Sequence, residues 1–318
     1  MEETGLRLVD NLEKVIIGKR PMLVELVAAF LAGGHVLLED VPGTGKTSLA
    51  RALSRSVSGS FRRIQFTPDL LPSDITGVGV FNQRTSEFEF RRGPLFANVV
   101  LGDELNRATP RTQSALLEAM EERTVSVDGE THALPRPFFV IATQNPIEQH
   151  GVYQLPEAQM DRFLVRLRLG YPSRDEERRI VEAQREAHPL ESLGAVATLD
   201  EITEASRRLR DVTVETNVTD YIVRLVAATR EHKDVSLGAG PRGSLALNRF
   251  CQAWSFVMGK KFVTPDTVKR LAPPVLCHRL ILKPQARLGG VTAEQIVQQV
   301  LDRVDVPVTR LAPRGAEA

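Results

Sequence analysis

The stretch His35-Val36-Leu37-Leu38-Glu39-Asp40-Val41-Pro42-Gly43-Thr44-Gly45-Lys46-Thr47 decides the reading of this chain. An apolar strand, a loop with two spaced glycines and a Gly-Lys-Thr that opens a helix form the context of a phosphate-binding loop. Gly43 and Gly45 let the backbone approach an anion without Cβ clashes. Successive N–H groups, together with the N-terminus of the following helix, then face that anion. Lys46 is placed to reach β- and γ-phosphates, and the Thr47 hydroxyl to ligate Mg²⁺. Pro42, Thr44 and Ser48 complete the loop. The first glycine of the GxxxxGK[ST] pattern is Asp40 here, a residue that tolerates unusual backbone angles but must point its carboxylate away from a phosphate.

Outward from this loop, the first half alternates short β-rich runs with amphipathic segments. The strand candidates are His35–Leu38, Arg63–Phe66, Val99–Leu101, Phe138–Ala142 and Leu164–Leu169. Leu49, Ala50, Leu53 and Val57 share one helical face after Lys46, and Leu116, Leu117 and Met120 share another after Pro110. Such alternation predicts an α/β fold, a parallel sheet covered by helices. Two hairpins interrupt it, Val78–Phe90 and Thr124–Leu134, the second turning at Asp128-Gly129, a type I′ signal. Gly170-Tyr171-Pro172-Ser173 reads as a linker. Helices are then expected at 174–188, 199–210, 217–232, 241–259, 265–273 and 292–304, so residues 1–171 form the α/β unit and 172–318 an all-α one.

Val99-Val100-Leu101-Gly102-Asp103-Glu104 is an apolar strand that ends in two carboxylates. Ligands sit at strand C-termini in open α/β sheets. Asp103 would hold Mg²⁺ beside Thr47, and Glu104 would orient and polarise an attacking water. Asn145, after the strand Phe138–Ala142, can donate to phosphate and accept from water at once. Arg162, in Asp161-Arg162-Phe163, reads either as a salt-bridged surface residue or as an arginine finger offered to a neighbouring subunit. Arg242 stands in the first turn of a helix, where the helix dipole gives a cation no reason to be. It could reach a γ-phosphate, its own subunit's or a neighbour's.

Composition bounds the partners. Among 318 residues, 41 basic and 40 acidic side chains leave a net charge of +1, with 42% hydrophobic and 25% charged residues. That excludes a disordered, collagen-like or nucleic-acid-coating chain. Two cysteines, Cys251 and Cys277, make no disulfide framework and point to a reduced, cytoplasmic setting. The longest apolar stretch, Leu26 to Leu38, is broken at Gly33-Gly34 and is short of the roughly 18 residues of a membrane span. The six histidines lack metal-ligand spacing.

Together these segments resemble the AAA+ ATPases and, within them, the MoxR family. The carrying motifs are Glu39 to Thr47, Gln65 to Asp74, Gly93-Pro94-Leu95-Phe96, Asp103 to Ala108, Ala142 to Pro146 and Leu155 to Phe163. The resemblance covers nearly the whole chain from about Val15. It implies an AAA+ P-loop NTPase domain with β-hairpin inserts, followed by an all-α lid. It also implies residue roles: Lys46 and Thr47 in Walker A, Asp103 and Glu104 in Walker B, Asn145 as sensor 1, Arg162 as arginine finger and Arg242 as sensor 2. Ile16, Ile17 and Gly18 match the segment that packs against adenine. Gly240 stands where the family pattern has Ser, before the Pro-Arg of sensor 2.

The expected activity is ATP hydrolysis with Mg²⁺ at the interfaces of a homo-oligomeric ring, a hexamer. The work done is chaperone-like remodelling, maturation or cofactor insertion of client proteins, with a von Willebrand factor A-domain protein as partner. Two other readings stay open at this stage. One is a nucleic-acid-dependent AAA+ motor or magnesium-chelatase-like subunit, against which the balanced charge weighs. The other is a small-molecule P-loop kinase, which needs neither the second carboxylate nor sensing arginines.

Overall fold

Val36, Leu38, Val99, Leu101, Phe139 and Ile141 join one core, while the interleaved Leu37, Val100, Val140 and Ala142 join another. A strand turns successive side chains to opposite faces, so these near-continuous apolar runs are those of a sheet covered on both sides. The structure, a computed structural model, describes residues 3–39, 43–144, 153, 155–185 and 187–307. Asp40, Val41, Pro42, Asn145 and the segment 312–318 lie outside the described residues.

Helices α1 (Thr4–Glu13) and α2 (Arg20–Leu31) precede β1 (Val36–Glu39). Next come α3 (Lys46–Ser56), β2 (Phe61–Gln65), α4 (Pro72–Thr76), β3 (Gly77–Asn82), β4 (Glu87–Arg92), β5 (Val99–Asp103) and α5 (Pro110–Glu122). They are followed by β6 (Thr124–Val127), β7 (Glu130–Ala133), β8 (Phe139–Gln144), α6 (Glu157–Met160) and β9 (Val165–Leu167). The remainder is α7 (Arg174–Ala183), α8 (Leu199–Arg208), α9 (Thr216–Arg230), β10 (Val235–Leu237), α10 (Pro241–Val257), α11 (Pro265–Leu276), β11 (Ile281–Leu282), α12 (Pro284–Leu288) and α13 (Ala293–Arg303). Strands pair in parallel in the order β2-β5-β8-β1-β9. The carboxyl ends of β1 and β5 therefore open onto one edge of the sheet, where β1 feeds the phosphate loop.

Both expected hairpins are present as antiparallel ribbons, β3–β4 and β6–β7. The second turns through Asp128 and Gly129, both at positive φ (53° and 84°), as a type I′ turn requires.

The helical half departs from the sequence reading in detail. α7 stops at Ala183 instead of reaching 188, and a small antiparallel pair, β10–β11, joins the helices. α11 runs through Pro273 and Pro274 to Leu276. Proline removes a helical N–H, but Val275 and Leu276 are fully buried and Arg279 donates to the Val275 carbonyl. Packing carries the helix past the break. α1, absent from the sequence reading, buries Leu8, Val9 and Leu12. The larger core is continuous from these residues through Phe30 and Val36 to Phe250, Trp254 and Leu271, so the helices after Tyr171 share it with one face of the sheet.

His35 is wholly buried beneath the sheet. Its Nε2–H donates to the Met120 carbonyl (3.0 Å) and its Nδ1 accepts the Val140 N–H (3.0 Å). Burial pushes this imidazole down to about 4, so it stays neutral. Cys251 and Cys277 are buried free thiols, both pushed up by burial. Among the described residues no helix is long and apolar enough to cross a membrane.

Glu25 on α2 lines a cavity of about 340 Å³ with Met22 and Pro274. Burial pushes its carboxyl up to about 7, against a smaller downward pull from Arg270. A carboxyl raised in the folded state contributes stability below its unfolded pKa, and that contribution is lost as pH rises through the folded value. Glu25→Gln should therefore melt above the parent at pH 8, with the gap closing as pH falls toward 4.5. Thermal melts across that range check this, and a gap that widens toward acid contradicts it.

Candidate functional site

Gly45 caps α3 in the left-handed region (φ 93°), and Gly43 is also left-handed (φ 84°). These angles curl the loop so that the first turn of α3, beginning at Lys46, points its N–H groups into a cavity of about 290 Å³. Lys46, Thr47 and Ser48 line the cavity from the loop side, and Asp103, Glu104 and Thr143 from the strand ends. The phosphate loop and the acidic pair, about sixty residues apart in sequence, thus share one space. An added Cβ on Gly45 would lie 3.8 Å from Ile16 Cδ1, so the Ile16-Ile17-Gly18 segment borders the loop. Gly18, at φ 80°, meets Glu176 of α7 so closely that a Cβ there would fall 1.9 Å from its Oε1.

The acidic pair is held by groups that the sequence reading did not single out. Asp103 Oδ1 accepts from the Thr143 hydroxyl (2.7 Å), and Oδ2 from Arg63 Nη2 (2.6 Å). Glu104 Oε2 accepts from Gln65 Nε2 (2.8 Å) and pairs with Arg107 Nε (3.2 Å). The Glu104 backbone is left-handed (φ 58°), and its N–H donates to Thr143 Oγ1 (2.9 Å). A non-glycine residue in that region is uncommon, and here it turns the second carboxylate out of the strand into the cavity. Arg63 and Gln65 alternate on β2, whose register sets Gln65 opposite Asp103. Their signal was present as a period-2 pattern in Arg63–Phe66, but only the strand order makes β2 the neighbour of β5.

Thr47 and Asp103 offer two hard oxygen ligands on one cavity, and the described residues contain no cluster of three or more His, Cys, Asp or Glu that could cage a metal. That donor set fits Mg²⁺, which keeps its waters and usually arrives with substrate phosphates. The Arg63 guanidinium on Asp103 shows that this carboxylate already sits beside positive charge.

Residues 35–165 match the family described as ATPase family associated with various cellular activities (AAA), and residues 227–300 match the AAA lid domain. The protein YeaC of Bacillus subtilis (strain 168) is 50% identical over 306 residues, covering 96% of each chain. Chaperone MoxR1 of Mycobacterium tuberculosis is 40% identical over 321 residues, 97% of this chain and 84% of that one. This chain belongs to the MoxR family of AAA+ ATPases. A crystal structure of a Cytophaga hutchinsonii protein, presented as a candidate ATPase, superposes with a TM-score of 0.89 at 36% identity over 96% of both chains. Nucleotide binding and ATP hydrolysis are the family's general chemistry, and the fold is the AAA+ domain with its helical lid.

Within this MoxR-family chain the remaining candidates divide. Pro42 and Asn145 lie outside the described residues. Arg162 and Arg242 are together, but away from the phosphate loop. Both line a second cavity, of about 280 Å³, with Gly33, Gly34 and Asp161, residues at the amino ends of β1 and β9. Arg162 Nε pairs with Glu121 Oε2 (3.2 Å), and Arg242 Nη2 binds Glu121 Oε1. The phosphate loop lies at the opposite, carboxyl end of β1.

The hairpins form a third feature. Phe90 of β4 stacks on His132 of β7 at 4.0 Å, so the two ribbons touch. Phe81, Phe88, Val78 and Val80 of the first ribbon are all exposed, Phe88 at 76%. A two-stranded ribbon that leaves apolar side chains open to solvent marks a surface made for contact.

Proposed function

We propose that this protein hydrolyses ATP at the interfaces of a homo-oligomeric ring, a hexamer, and uses the energy to remodel, mature or load client proteins. The observation that carries this reading is the division of the machinery. Lys46, Thr47, Asp103 and Glu104 share one cavity, whereas Arg162 and Arg242 gather around Glu121 at the far end of β1. A lone subunit then has a nucleotide site without its arginines, and arginines without a nucleotide. A ring that seats the arginine face of one copy against the phosphate loop of the next joins them.

In that arrangement Lys46 and the α3 amino terminus grip the β- and γ-phosphates. Ile16, Ile17 and Gly18 flank the base. Glu104 accepts a proton from, or orients, the attacking water, and Gln65 and Arg107 hold its carboxylate in place until the nucleotide arrives. Thr47 and Asp103 would hold Mg²⁺, which would supply positive charge against the phosphates. Arg162 and Arg242 of the neighbouring copy stabilise the charge that develops on the leaving side. The clash-close approach of Gly18 to Glu176 at the head of α7 couples the base segment to the lid, so a change in the bound nucleotide moves the helices. The exposed Phe81 and Phe88 ribbon is the client-facing surface, with a von Willebrand factor A-domain protein as the partner. The two reduced, buried thiols fit a cytoplasmic setting.

Glu104→Gln keeps the shape of the site but removes the base. It should bind ATP as the parent does while phosphate release falls about 100-fold. Filter binding and a phosphate assay read the two separately. The same ATP-held form should retain clients, and polynucleotide should leave the parent rate unchanged. A parental rate in Glu104→Gln, or a large stimulation by DNA, contradicts the reading.

A further inference from the structure

We propose that Glu121 is a positioning residue that holds Arg162 and Arg242 as one unit for the nucleotide of a neighbouring copy; this rests on the reading of those arginines given above. Each carboxylate oxygen serves one guanidinium, Oε2 that of Arg162 and Oε1 that of Arg242. Two like charges side by side repel, and the carboxylate between them turns a mutually repelling pair into a set carrying one net positive charge. Each guanidinium has five N–H donors, and among the described residues Glu121 is the one side-chain partner of both guanidinium groups, through an ion pair with Arg162 and a hydrogen bond from Arg242. Most of both forks is thus left for an incoming oxyanion.

The backbone beside this carboxylate is tied down at two points. Met120, its neighbour in α5, is tied through its carbonyl to His35 (3.0 Å), and Arg123, two residues on, donates to the Gly33 carbonyl (2.8 Å). The other end of the assembly is fixed by Arg279. Its Nε donates to Asp161 Oδ1 (2.7 Å) and its Nη2 to the Phe163 carbonyl (2.7 Å), bracketing Arg162 in the chain. Arg279 is itself buried. Glu121 therefore stands between a strand–helix corner of the α/β part and the first turn of α10, and it pairs with both arginines. The side chains of Glu121 and Arg242 are 34% and 56% exposed, so water screens the pairing and its effect is one of orientation more than of stability.

The alternative role for the same carboxylate is competition, in which Glu121 occupies the arginines and must be displaced by phosphate. The two roles predict opposite rates. In the assembled protein, Glu121→Ala should lower kcat about tenfold, because misplacing a charge-stabilising group by an ångström costs that much or more. Glu121→Gln, which keeps one acceptor oxygen in the same place, should fall between the two. ATP affinity should be unchanged in both, since neither touches the phosphate cavity. In mixed rings, Glu121→Ala subunits should regain activity with Lys46→Ala subunits, which still supply intact arginines, and should regain none with Arg162→Ala subunits. A rate at or above the parent's in either variant overturns the proposal, as does recovery with Arg162→Ala in place of Lys46→Ala. Mixing Arg162→Ala with Lys46→Ala is the control. If that pair regains activity and the Glu121→Ala pair does not, the positioning role alone fails; if the control pair stays silent, the interface reading fails first.

Discussion

Arg162→Ala is expected to lower the ATPase rate of the assembled protein by about 10³-fold or more while ATP still binds. The size follows from where the charge goes. Phosphoryl transfer spreads negative charge over oxygens that the enzyme meets with cations already in place, in a site from which water is excluded. The phosphate cavity of one subunit contains Lys46 and, from β2, Arg63, but Arg63 is engaged on Asp103 at 2.6 Å. The charge that answers the transition state must then come from elsewhere, and Arg162 and Arg242 are the pair assembled with donors to spare. Single-turnover phosphate release together with nucleotide titration separates chemistry from binding. Mixed rings of Arg162→Ala and Lys46→Ala should recover part of the rate, since each supplies what the other lacks. A variant within about tenfold of the parent, where charge stabilisation by a finger is worth far more, would remove Arg162 from the reaction.

Lys46→Ala is expected to abolish measurable ATP binding at concentrations that saturate the parent. The backbone N–H groups at the head of α3 are partial charges worth little against a triphosphate in water, because the helix-terminus effect is screened and short-ranged. Lys46 supplies the full positive charge on that side of the cavity, at the first position of the helix. Its loss leaves the phosphates facing Asp103 and Glu104 with only Arg63 near, and that guanidinium is shared with the first carboxylate. Isothermal titration with ATP and Mg²⁺ is the direct measurement. Retained affinity in a folded Lys46→Ala protein would show that the loop does not grip the phosphate tail, and the arginine and carboxylate assignments would lose their reference point.

Chemistry that is local in the chain is legible in the sequence. The glycines before Lys46 free the backbone from Cβ clashes, and Gly43 and Gly45 use that freedom in left-handed backbone. Asp128-Gly129 between alternating runs demands a primed turn, and the β6–β7 ribbon has one. The apolar runs at 36–38, 99–101 and 139–142 are buried on both faces, which only a sheet sandwiched by helices satisfies. These are short-range rules, in which a few neighbouring residues and the stereochemistry of the peptide suffice.

Other features were not legible, for the same reason. Arg63 and Gln65 read as an unremarkable strand until β2 is known to lie beside β5. α11 was expected to stop at proline, and burial of Val275 and Leu276 carries it on. Thr143 is not singled out beside Asn145 in the sequence, yet it ties Asp103 to the backbone of Glu104.

The amino-acid sequence by itself determined the phosphate loop, the carboxylate pair, the alternating sheet and the family, because each motif rests on residues within a few positions of one another and the family on the order of those motifs along the chain. Tertiary structure alone decided that Arg162 and Arg242, eighty residues apart, meet on Glu121 at the end of β1 that the phosphate loop does not occupy. Which arginine meets which carboxylate depends on how α5, β9 and α10 pack, and packing is a property of the whole core that no local spacing encodes.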